Sequence, residues 1–77
     1  MERDSFIFRK SYYEAIVSFS EKAERRLMLN AIVERALYGK EPNLDGRLKT
    51  VYESILPQIE ADEIRYIVRK GLYNGRA

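Results

Sequence analysis

The strongest pattern in the chain is a single apolar stripe near its middle. Leu48, Val51, Tyr52, Ile55, Leu56 and Ile59 fall at i, i+3, i+4, i+7, i+8 and i+11, the spacing that lines one face of an α-helix. Asp45 stands ahead of the stripe as an N-cap. Pro57 interrupts it, but the residues before the proline are Ile55 and Leu56, poor caps, and Gln58 to Glu63 are mostly good helix formers. The pattern therefore predicts one helix over about 45–70, kinked at Pro57, with two helices meeting at the proline as the alternative. Such a helix has roughly 26 residues and a length of about 39 Å, against a radius of gyration of about 11–12 Å for a compact domain of this size. Its last turns must protrude, bend back or pack on another chain.

Upstream, a second helix is expected over 21–38. Ser20 serves as its N-cap, Glu21 and Glu24 occupy the first turn, and Gly39 followed by Pro42 stops it. Its apolar residues, Leu27 to Leu29, Ala31 to Val33, Ala36 and Leu37, cover most of the circumference, with Arg35 interrupting that side. A helix apolar nearly all round is normally buried all round. This one is expected to be central in the bundle and to lend Leu29, Val33 and Leu37 to a subunit interface. A shorter helix over 9–17 carries two adjacent pairs, Tyr12 with Ile16 and Tyr13 with Val17, and Phe6-Ile7-Phe8 suits an extended segment packing on the bundle. The fold class is all-α: a small bundle of three or four helices with a long C-terminal helix, in a single domain spanning 1–77.

Composition narrows the chemistry. The 77 residues include no cysteine and no histidine, which removes disulfides, thiol and imidazole catalysis and His/Cys zinc sites. A chain this short buries a thin core, and without staples oligomerisation is a common source of stability. The net charge is only +2, yet from Ile64 onward there are four basic residues, Arg65, Arg69, Lys70 and Arg76, and no acid. Residues 64–77 thus form a basic C-terminal arm. Interleaved with Tyr66 and Tyr73, these residues are candidate contacts to DNA, the cations neutralising phosphates and the rings stacking on bases. The other reading is a solvated helix end whose cations suit the helix dipole. Ile64, Ile67, Val68 and Leu72 in the same arm would leave apolar surface bare, which points to a homodimer. Of the remaining tyrosines, Tyr12, Tyr13, Tyr38 and Tyr52 suit core-edge positions, with the ring buried and the hydroxyl wet.

Catalysis is not expected. Glu53, Glu60, Asp62 and Glu63 read as solvent-side residues, with Asp62 placed to pair with Arg65; the serines have no histidine to activate them, and the four glycines form no phosphate-binding loop. No cofactor, metal or small-molecule substrate is implied. The N-terminus lacks the apolar core of a signal peptide, and no run approaches ~18 apolar residues, so a soluble intracellular protein without membrane contact is expected.

Three anchors carry a family resemblance: Ser5-Phe6-Ile7-Phe8-Arg9-Lys10-Ser11-Tyr12-Tyr13-Glu14-Ala15-Ile16, then Ala36-Leu37-Tyr38-Gly39-Lys40-Glu41-Pro42, then Leu56-Pro57-Gln58-Ile59-Glu60-Ala61 with Arg65-Tyr66. In this order and spacing, over roughly 5–66, the chain resembles a bacteriophage and prophage family of uncharacterised helical domains. Its members often form the N-terminal part of predicted phage replication (replisome-organiser-like) proteins. The resemblance implies a non-catalytic module for assembly in a DNA-replication context, in the cytoplasm of a bacterial host, with DNA and phage or host replication proteins as partners. It supplies no catalytic residues. Family members typically continue into a polar Lys/Gly-rich stretch; here the corresponding residues are Ile67-Val68-Arg69-Lys70-Gly71-Leu72-Tyr73. The alternative function is a protein-interaction or dimerisation domain that binds no nucleic acid.

Overall fold

A computed structural model describes residues 2–70. Among them are three helices, α1 (Lys10–Val17), α2 (Lys22–Tyr38) and α3 (Gly46–Arg69), and no strand. Each helix packs on both of the others. The helix expected over 45–70 is present and runs unbroken through Pro57. The two shorter helices match their expected spans to within a residue at either end.

The core forms where the three apolar faces meet. Tyr12 and Ala15 come from α1, Phe19 from the α1–α2 corner, Met28, Ala31 and Ile32 from α2, and Tyr52, Ile55 and Ile59 from α3. Leu48, Val51 and Leu56, the rest of the α3 stripe, pack against it half-buried. Phe6 also reaches the core, so the N-terminal segment does lie on the bundle, while Ile7 and Phe8 stay exposed. Phe8 meets Tyr12 edge-on with ring centroids 5.8 Å apart, a favourable aromatic geometry.

The helix ends have local causes. Gly39 closes α2 in the left-handed conformation, φ 69°, with its N–H bonded to the Arg35 carbonyl, the αL motif that glycine adopts without a Cβ penalty. Gly46 opens α3 at φ 60°, where any other residue would be strained. Asp45 is the N-cap residue of α3, but its side chain makes no capping bond, and Glu21 rather than Ser20 holds that position in α2. Arg47 instead secures the corner: it donates to the Ser18 carbonyl at 3.2 Å and lies 4.5 Å from the centre of the Phe19 ring.

Several expectations are corrected by the packing. Tyr13 and Tyr38 are exposed, because the α1 face turned inward is Tyr12–Ala15 and because Tyr38 ends α2 beyond the core. Tyr52 is buried to its hydroxyl. Within α2, Met28, Ala31, Ile32, Arg35 and Ala36 face the bundle and are buried, and Leu27 and Leu29 are exposed. Asp62, read as a solvent-side carboxylate, is buried.

Candidate functional site: a basic groove between the N-terminal segment and the end of α3

Two arginines that the sequence pattern does not single out build this end of the molecule. Arg9 donates to both carboxylate oxygens of Asp62, Nε to Oδ2 and Nη2 to Oδ1, each at 2.7 Å. This bidentate pair is a strong geometry for guanidinium and carboxylate. It holds the Asp62 carboxyl below the usual carboxylate range, aided by a bond from Gln58, and raises the Arg9 guanidinium in turn. Arg3 reaches the C-terminal end of α2, its Nε donating to the Ala36 carbonyl at 2.9 Å and its backbone N–H to the Leu37 carbonyl at 2.6 Å. Those carbonyls have no partner inside the helix, and a cation there meets the negative end of the dipole. The N-terminal segment is thereby tied to α2 at one point and to α3 at another.

A third arginine fixes α2 against α3. Arg35 is buried, and its Nη1 and Nη2 face the Glu63 carboxylate at 3.2 and 3.4 Å. Glu41 and Glu60 lie 3.8 and 3.9 Å away. Burial alone would lower its pKa, but the bonds and charge of Glu63 outweigh that and raise it. The apparent interruption of the apolar face of α2 is therefore an ion pair to α3.

Between the tied segment and the end of α3 runs a groove of about 440 Å³, lined by Arg3, Ser5, Ile7, Asp62, Arg65, Tyr66, Arg69 and Lys70. Four cations face one carboxylate, and that carboxylate is already paired with Arg9. The Arg65 Nη1 stands 3.5 Å from Asp62 Oδ1 with most of its side chain in solvent. Of the candidate DNA contacts, Arg65, Tyr66, Arg69 and Lys70 thus share one concavity, and Arg3 joins them. Tyr73 and Arg76 lie outside the described residues. Tyr66 is half-buried, with the Arg3 guanidinium 4.9 Å and the Lys70 ammonium 5.8 Å from its ring centre. Its ring is engaged by cations, so the groove is suited to an anion more than to a stacked base.

The candidate interface residues fall in different settings. Ile64 and Val68 are exposed on α3 and Ile67 is half-buried. On α2, Leu29 is exposed while Val33 and Leu37 are half-buried; Leu72 lies outside the described residues. Among the described residues, no group of three or more carboxylates is placed to hold a metal ion, and no helix is long and apolar enough to cross a membrane.

Residues 5–77 match the model of a family of unknown function, DUF6291. The match covers nearly all of the chain, which belongs to this family. No curated protein and no solved structure matches it.

Proposed function

We propose that this chain is a non-catalytic phage or prophage module, an oligomerisation and assembly domain acting in the bacterial cytoplasm in a DNA-replication context and touching DNA through its basic groove. The observation that carries the reading is the convergence of Arg3, Arg65, Arg69 and Lys70 on one concavity. Spaced guanidinium and ammonium groups neutralise successive phosphates and release counterions. The three-anchor resemblance to a phage and prophage family of uncharacterised helical domains, whose members often form the N-terminal part of predicted replication proteins, supports the setting. A non-catalytic role agrees with the state of the acidic residues, since Asp62 and Glu63 are held in ion pairs with Arg9 and Arg35.

The second reading is a dimerisation domain without nucleic-acid contact, favoured by the exposure of Ile64 and Val68. Fluorescence anisotropy with short single- and double-stranded DNA at two salt concentrations separates them. Under the first reading binding weakens steeply with salt, and Arg69→Ala lowers the slope of log K against log salt by about 1. Absence of binding at low salt overturns it and leaves the second.

A further inference from the structure

Helix α3 carries a second apolar line on the side away from its core stripe. Pro57, Ala61, Ile64 and Val68 are spaced by four, three and four residues, the d-a-d-a spacing of a coiled-coil seam. In this register the opposite, f position falls on Ile59 and Tyr66; Ile59 is 1% exposed in the core, whereas Ile64 and Val68 are 61% and 58% exposed. One helix thus serves two seams, one filled by its own bundle and one with no partner within the described chain.

We propose that this second seam pairs with the α3 of another copy, in parallel and in register, to form a two-fold dimer. The charges flanking the seam select both the occupant and its direction. Glu60 takes the g position and Arg65 the following e position. A parallel in-register pair sets g of one helix against the next e of its partner, so Glu60 of each copy meets Arg65 of the other, twice over. An antiparallel pair sets g near g and e near e, which brings Glu60 toward Ile67 and Gln58 toward Arg65, with no ion pair gained. Both charged groups are available. Glu60 is half-exposed and 3.9 Å from Arg35, Arg65 is more exposed still and 3.5 Å from Asp62, and neither contact is a close hydrogen bond. A surface that complements itself in this way fits an isologous dimer.

The dimer would set the two groove ends of α3 side by side. This consequence is separable from the DNA reading, because the pairing is tested without DNA. A seam of two heptads buries little area, so a dissociation constant on the order of 10–100 µM is expected.

Sedimentation equilibrium on the full chain, over about 10 µM to 1 mM to bracket that constant, gives the test. The expected result is a reversible dimer. Ile64→Glu with Val68→Glu should make it monomeric with unchanged helical circular dichroism, since both side chains are exposed. Glu60→Arg or Arg65→Glu alone should weaken it by roughly fivefold or more, and the two together should restore it, as complementary e and g charges require. Val68→Cys places one thiol in a chain that has none. Parallel pairing brings the two thiols together for oxidation, whereas antiparallel pairing holds them about 16 Å apart along the axis. A monomer throughout the range, a dimer indifferent to the glutamate pair, or a dimer whose Val68→Cys form does not cross-link would each overturn the proposal.

Discussion

Replacing Tyr52 by phenylalanine should stabilise this protein, although most core substitutions do the reverse. Tyr52 is 4% exposed and its hydroxyl has no hydrogen-bond partner among the described residues. A buried, unsatisfied hydroxyl costs about 1–3 kcal/mol, and deleting one oxygen leaves a void smaller than a methyl group, worth under about 1 kcal/mol. The net gain for Tyr52→Phe is about 1 kcal/mol, which in a domain this small raises Tm by about 4–8 °C. The pH dependence gives a second handle. Burial, reinforced by Glu41 and Glu60 and opposed by Arg35, pushes the Tyr52 phenol from its usual 10 up to about 12. Between those values the unfolded chain releases this proton and the folded chain keeps it, so stability falls as pH rises through that window. Two pH units correspond to about 3 kcal/mol. Tyr52→Phe lacks this loss, and its advantage over the parent should widen from pH 10 to 12, the other tyrosines cancelling in the comparison. Urea unfolding followed by circular dichroism at pH 7 and across the alkaline range measures both effects. Destabilisation at pH 7 by more than about 0.5 kcal/mol would refute the reasoning, because it would mean the hydroxyl is satisfied, for instance by an ordered water shared with the unbonded Arg35 Nε.

Other outcomes follow from the same structure. Gly46→Ala should cost about 1–2 kcal/mol in urea unfolding from its left-handed φ of 60° alone, since nothing among the described residues lies within 4 Å of the added Cβ; a neutral result would mean that the start of α3 relaxes to a right-handed conformation. Asp62→Asn should lower Tm well beyond Glu14→Gln, which loosens only the exposed Lys10–Glu14 pair. The folded-state pKa of Asp62 lies below its unfolded value, so its contribution is present above the unfolded pKa and lost as pH falls through the folded one. Asp62→Asn should therefore flatten the acid limb of the stability curve, and an unchanged limb would refute the pairing.

What could be read from the sequence was what is local. The α3 stripe, the glycine that ends α2 and the passage of α3 through Pro57 rest on residues a few positions apart, and the structure keeps them. The arginine contacts span 28 to 53 residues, and no periodicity reports them. Polarity and the local partner Arg65 sorted Asp62 to the solvent side, because its closer partner Arg9 lies in another segment; Arg35 looked like a blemish on an apolar face for the same reason. Tyr13 misled because an apolar stripe two residues wide on a two-turn helix exceeds what a thin core can cover. In the groove, Arg65, Arg69 and Lys70 were legible as a charge run, while Arg3 joins them only through the path of the N-terminal segment.

That path also bears on the order of folding. Helices α2 and α3 are joined by a loop of seven residues and can pair early, when little chain has to be closed. The Arg9–Asp62 pair closes 53 residues and repays that entropy only once α3 is already helical. The N-terminal segment should then dock last and leave first. Replacing either of its two arginines should therefore speed unfolding and leave the folding rate little changed.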